Sequence, residues 1–324
     1  MRYGTIPGVD KKVSRLVLGS MVMSTERYEN TCALLDRFVE AGGTAVDTAR
    51  VYGRGSSEKA LGQWLKERGR RDEVVVIGKG AHHDSQTFAR RLTPAHVDQD
   101  IAASLAEMQL DQVDMYILHK DDPDAPVGPI VEALNAHMRA GRIGAFGGCW
   151  THQRIAEANA YAEAHGLVRF AVSSPNHSLA VPNEPMWVGC VYLPGDAEAI
   201  AWYAETRLPV FAWSSQARGF FSGRYSRDKT EGEGMDQQNV IRTYYSDANW
   251  ERYDRADELA REKGCTRQQI VLAWALNQPM DVYALIGPAT VSELEDCLGA
   301  LDVSLSEEEV AWLNLERERV LAAR

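Results

Sequence analysis

Asp47, Lys79 and His119 each close a short run rich in β-branched residues, and Tyr52 follows close behind Asp47. A phenol with an ordinary pKa of ~10 is a weak acid at neutral pH. A neighbouring ammonium favours its ionised form and lowers that pKa. Asp47 can pair with Lys79 and keep it charged, and His119 can donate to a substrate oxygen or to the phenol. Brought to one rim, the four make Tyr52 a proton donor to a carbonyl oxygen that is gaining negative charge. None of them can supply a hydride, so carbonyl reduction here requires a nicotinamide or a flavin. Lys79 as the Schiff-base amine of a barrel aldolase or isomerase is a competing reading. Singly, each residue has a plainer role: a solvated strand-end lysine, a turn-capping aspartate, a buried histidine. The weight lies in their falling on consecutive strand ends.

Those ends matter because the active site of a closed (β/α)8 barrel lies where its strands end. Eight apolar runs alternate with helical patterns: Leu16–Gly19, Thr44–Asp47, Val74–Lys79, Val113–His119, Ile143–Gly147, Phe170–Ser173, Val210–Trp213 and Val282–Ile286. Between them, Ser57–Lys66 and Val97–Leu110 carry apolar residues at helical spacing. Thr93-Pro94 is a cap followed by proline at the first helical position, and Gly166 ends the helix Gln153–His165. The pattern predicts an α/β chain with one domain over residues 1–324, a single (β/α)8 TIM barrel with residues 1–14 as an N-terminal hairpin plugging its bottom. Asn176–Gly195 and Ser214–Asn249 are too long for simple connections and are expected to be top-face loops. An open doubly wound sheet is the alternative, but no Gly-x-Gly-x-x-Gly follows the first strand.

The 324 residues are 45% hydrophobic and 25% charged, which excludes disordered and fibrous classes. A net charge of −11 argues against a nucleic-acid partner, since phosphate binding needs a basic footprint. Five cysteines without a C-x-x-C pair fit a reducing compartment. Neither a basic start followed by an apolar run nor an 18-residue apolar run is present, so a cytoplasmic protein without a membrane partner is expected. No coiled-coil or swap signal speaks to the oligomeric state. His82, His83 and Asp84 are adjacent, and three adjacent loop residues rarely converge on one ion, so no metal site is expected.

The run Gly43-Thr44-Ala45-Val46-Asp47-Thr48-Ala49-Arg50-Val51-Tyr52-Gly53, with Ser57-Glu58 and Gly62, resembles the signature of the aldo-keto reductases. Lys79 in Ile77-Gly78-Lys79 and His119 in Tyr116-Ile117-Leu118-His119 match the next two family positions, and the resemblance continues through Gly141–Gly144 and Trp213-Ser214-Ser215 to Ser292–Leu301. It implies a (β/α)8 barrel, a nicotinamide cofactor without a Rossmann domain, and a tetrad of Asp47, Tyr52, Lys79 and His119 with Tyr52 as general acid. The expected activity is reduction of an aldehyde or ketone, a small-molecule carbonyl substrate, to the alcohol. Channel β-subunits also resemble this family, so a cofactor-sensing regulatory subunit is the alternative from another class.

The resemblance extends to the cofactor. Trp213 stands where the family commonly stacks an aromatic ring on the nicotinamide. Ser214, Gln216, Arg218, Gly219 and Arg224 fall on the loop resembling the pyrophosphate clamp, and two arginines there suit phosphates. The chain departs from the family at Gly147-Gly148-Cys149-Trp150, where a Ser-Asn pair ordinarily holds the carboxamide, and at Ser173 or Ser174, where a glutamine is usual. Ser174 is the expected substitute. Gly287 and Glu293 belong to the strand-eight end that meets the adenosine. No Lys or Arg occurs from Gln268 to Glu316, and Glu293 suits a free 2′-hydroxyl or simply a helix N-terminus. Family habit favours NADP(H), and local charge keeps NAD(H) a close second. Met21, Trp150 and Trp187 are candidate substrate contacts. Asp121, Asp122 and Asp124 suggest an acidic rim suited to a sugar or polyol-derived carbonyl.

Overall fold

The computed structural model describes residues 1–84 and 86–318. The hairpin strands β1 (Tyr3–Ile6) and β2 (Val9–Ser14) come first. Then follow β3 (Leu16–Gly19), β4 (Ala45–Asp47), β5 (Val75–Gly80), β6 (Val113–Leu118), β7 (Ile143–Gly148), β8 (Val172–Ser173), β9 (Val210–Ala212) and β10 (Val282–Ile286). These eight close into a parallel barrel, with β10 hydrogen-bonded to both β3 and β9. The predicted strands are all present, within two residues at each end.

Alternation at period two sorts the strand side chains into two layers. Leu16, Val46, Val76, Tyr116, Phe146 and Ile286 face outward and pack beneath the helices. Ala45, Ile77, Ile117, Ala145, Phe211 and Leu285 fill the barrel, where Ile6 and Val13 of the hairpin join them. The hairpin therefore plugs the bottom. At its turn, Gly8 adopts φ +85°, and a Cβ there would stand 2.6 Å from the Gly144 carbonyl oxygen, so only glycine lets the turn seat under β7.

Helix signals read from the sequence act as expected. Thr93 accepts the amide of His96 ahead of Pro94, and the helix runs Pro94–Met108. The helix after β4 spans Ser56–Arg68 and ends at left-handed Gly69. The long segment after β8 has no helix or strand before Ala197, matching its reading as a loop. The segment after β9 differs: it contains the helix Met235–Tyr244, and Asn249 already belongs to the helix Asp247–Lys263. Val240, Ile241 and Tyr244 of the former bury against a cluster containing Phe220 and Trp250. Such packing overrides a polar, glycine-rich composition.

Candidate active site

Asp47, Lys79, His119, Trp213 and Gly287 stand two residues beyond the inward-facing Ala45, Ile77, Ile117, Phe211 and Leu285. The pleat therefore aims the four side chains at the top of the barrel axis, where Gly287 leaves its own position open. They and Tyr52 line one cavity of about 1220 Å³. Tyr52 lies off the strand, on a short 3-10 turn (Tyr52–Gly55). The Arg50 amide ties that loop to the Lys79 carbonyl at 2.9 Å. Ser57, just beyond it, lies 2.6 Å from the Ser20 hydroxyl and 3.2 Å from that of Thr48. The Arg50 guanidinium lies 3.6 Å from the fully buried carboxylate of Glu58. It fills the space a Cβ at Gly55 (φ +94°) would need.

Lys79 and Asp47 form a buried ion pair. Burial opposes the Lys79 charge, but Asp47 and Tyr52 outweigh it and hold the ammonium above the ordinary lysine range. The Lys79 Nζ lies 5.3 Å from the centre of the Tyr52 ring. His119 meets Tyr52 edge-to-face with ring centres 5.9 Å apart. Its buried Nδ1 has no hydrogen-bond partner among the described residues. Burial first, and then the charges of Lys79 and Lys120, push its pKa well down, so the imidazole is neutral at physiological pH.

The phenol corrects a sequence expectation. Lys79 does pull the Tyr52 pKa down, but burial pushes it up more strongly, and the net direction is upward. The lysine counts for most when negative charge grows on the phenol oxygen, because a low-dielectric site strengthens the attraction.

The expected cofactor residues divide. Trp213, Ser214, Gln216, Arg218, Gly219, Arg224, Gly287 and Glu293 all line the cavity. Trp213 meets Trp187 at 6.1 Å and Tyr192 at 5.5 Å between ring centres. Ser214, Ala217, Arg218 and Gly219 all have positive φ, between 49° and 80°. At the three non-glycine positions this is stored backbone strain of the kind that clusters at ligand clamps. The Arg218 guanidinium sits 5.0 Å over the Trp187 ring, and Arg224 is exposed 4.0 Å from Glu293. Glu293 also accepts the Ala289 amide at 2.6 Å, so it caps the helix Val291–Gly299 as well as lining the cavity. Ser174 does not line the cavity: it is fully buried, with its hydroxyl donating to the Phe211 carbonyl at 2.9 Å.

Of the expected substrate contacts, Met21 and Trp187 line the cavity and are partly exposed. Trp150 does not. It has the outward parity of Phe146, is fully buried beside Phe170, and donates its indole N–H to the Lys120 carbonyl at 3.2 Å. The acidic rim is not part of the cavity either. Asp121 pairs with Arg154, while Asp122 and Asp124 pair with Arg90. Lys120 was missed in the sequence, and His82 and His83, weighed there only as metal ligands, and Cys149 were not expected in the site; all four line the cavity just past β5, β6 and β7. The signal was available, since each follows a strand top. Burial drives the Cys149 thiol up to about 12, so it stays protonated.

The barrel superimposes on a thermostable aldo-keto reductase crystallised with the inhibitor epalrestat, with a TM-score of 0.74 at 21% identity, covering 97% of this chain and 99% of that one. A norsolorinic acid reductase of Emericella nidulans is 29% identical over 92% of this chain and 77% of its own length. An NADP(+)-designated aldo-keto reductase of Schizosaccharomyces pombe is 26% identical over 90% of this chain and 84% of its own. A probable voltage-gated potassium channel β-subunit of Oryza sativa subsp. japonica is 25% identical over 94% and 92%. The aldo/keto reductase family model matches residues 15–314, nearly the whole of a chain whose barrel top already carries Asp47, Tyr52, Lys79 and His119 on one cavity. The chain belongs to the aldo/keto reductase family.

Proposed function

We propose that this chain is a single-domain, cytoplasmic NAD(P)(H)-dependent reductase of an aldehyde or ketone. The observation that carries the reading is the buried Asp47–Lys79 ion pair beside Tyr52 and His119 on one cavity wall. The residues present fit a dinucleotide. Trp213 offers a ring at the axis, the strained loop from Ser214 to Gly219 carries a cation, and the space around Gly287 is open. When bound, the nicotinamide supplies the hydride to the carbonyl carbon.

The chain's own groups do the rest. His119, neutral, directs the carbonyl oxygen toward Tyr52. Tyr52, protonated because burial raises its pKa, gives its proton to that oxygen. Lys79 stabilises the phenolate left behind, and Asp47 keeps Lys79 charged and in place. Arg218 and Arg224 hold the phosphates. NADP(H) is the proposed form, with Arg224 the cation for its 2′-phosphate, and NAD(H) is the close competitor. The sugar or polyol reading loses its support, because the acids that suggested it are paired outside the cavity.

Steady-state reduction of a panel of aldehydes and ketones, together with cofactor titration, tests this reading. Tyr52→Phe should lower kcat by about 10²–10⁴-fold, the usual worth of a positioned general acid, and leave cofactor affinity nearly unchanged. Wild-type turnover in that variant refutes the general acid. Tight cofactor binding without turnover by the wild type points instead to a regulatory subunit.

A further inference from the structure

Lys120 follows His119 at the top of β6 and is only 6% exposed. Its Nζ donates to the Val188 carbonyl at 3.0 Å and lies 2.8 Å from the Cys190 sulfur. An ammonium has three donors, so one N–H remains, on a residue that lines the cavity. Among the described residues no carboxylate lies within ion-pair distance of it, and the nearby acids are engaged elsewhere. Asp47 is held by Lys79, Asp121 by Arg154, and Asp122 and Asp124 by Arg90. Asp84 accepts the Thr87 hydroxyl and the amides of Gln86 and Thr87.

The charge of Lys120 reaches across this wall, where it opposes protonation of His82, His83 and His119. Removing a cation from water without a counter-charge is costly. Arg218 and Arg224 lie on the loop after β9 and are given to the dinucleotide in the reading above. Lys120 sits instead on the His83 side of the cavity, both side chains approaching Gly189.

We propose that Lys120 anchors a carboxylate of the substrate, so that the compound reduced is an aldehyde or ketone bearing an ionised carboxyl group. The inference rests on the assignment of Tyr52 and His119 to the carbonyl end. A single point charge with one free donor suits a carboxylate better than a phosphate, which is usually gripped by several donors. The half-exposed apolar side chains of Met21 and Trp187 line the same cavity and suit the body of such a molecule.

Calorimetric titration of the whole protein with benzoate and with its neutral counterpart benzamide tests the anchor without turnover. Wild type should bind benzoate about tenfold more tightly, a difference of about 1.4 kcal/mol. K120M should lose that preference and K120R should keep most of it. Equal affinities in the wild type, or a preference that survives in K120M, overturns the proposal. The second result would place the benzoate on Tyr52 and His119. If K120M does not fold, K120Q decides, and a benzoate preference that survives in K120Q refutes the anchor. Kinetics with 4-carboxybenzaldehyde and 4-methylbenzaldehyde separate the two claims. A rise in KM confined to the acid on K120M supports the anchor, and an equal rise for both overturns it. Failure to reduce either aldehyde, with a Lys120-dependent benzoate preference intact, sinks the reductase reading and leaves the anion site standing.

Discussion

Glu58 should make the fold less stable as pH rises from about 4.5 to about 7, which is the reverse of ordinary carboxylate behaviour. Its side chain is fully buried, neither carboxylate oxygen has a hydrogen-bond partner among the described residues, and the Arg50 guanidinium approaches only to 3.6 Å. Burial raises its pKa from 4.5 to about 7, against the opposing pull of the Arg50 charge. The folded state therefore holds a proton on Glu58 that the unfolded chain releases above pH 4.5. Wherever the folded state binds more protons, stability falls with rising pH. The loss begins near 4.5 and levels off above about 7. At about 1.4 kcal/mol per pH unit, it amounts to about 3 kcal/mol. Glu58→Gln keeps the shape and removes the titration. Urea unfolding of wild type and E58Q between pH 4 and 8 should give curves that diverge by about that amount, with E58Q gaining relative stability as pH rises. Parallel curves would refute the reasoning and mean that Arg50 already satisfies an ionised Glu58. The consequence extends to the candidate site, because Arg50 and Glu58 brace the turn that carries Tyr52.

Three further outcomes follow from buried charge and from the far end of the cavity. Asp47→Asn and Lys79→Met should each destabilise by about 3–5 kcal/mol, and the double variant by clearly less than their sum, because each single change strands a buried charge; additive losses in urea unfolding would refute the pair. His177 is buried with neither ring nitrogen partnered among the described residues, and burial lowers its pKa to about 4. Its unfolded form therefore binds protons first, and His177→Gln should make the protein less acid-sensitive between pH 6.5 and 4, read as a smaller fall in unfolding free energy than in wild type. Arg224→Ala should weaken NADPH about tenfold more than NADH, about 1.4 kcal/mol of selectivity, and a parallel loss in fluorescence titration would place the 2′-phosphate elsewhere.

Much of the fold and part of the site were legible because they rest on local periodicity. Eight apolar runs alternating with capped helices sufficed for the barrel, and the rule that barrel chemistry sits at strand ends picked out Asp47, Lys79 and His119. Tyr52 came with the run that begins at Gly43. Trp213 was reachable because it has the inward phase of Phe211. Trp150 was misread because it stands one residue out of phase with Ala145 and Cys149, so the pleat turns it under the helices. Ser174 has a polar side chain in the right stretch, but the neighbouring strand supplies a carbonyl that takes its hydroxyl.

The sequence by itself determined the residue types, their order and the phase of each strand, since these follow from the alternation of side chains along the chain. Tertiary structure decided what no local pattern contains. Burial outweighs the ammonium at Tyr52, the acids after His119 are drawn off by Arg90 and Arg154, and Lys120 is enclosed with no carboxylate among the described residues at ion-pair distance. Each of these depends on what lies across the barrel rather than along it, because desolvation and charge pairing are set by neighbours distant in sequence.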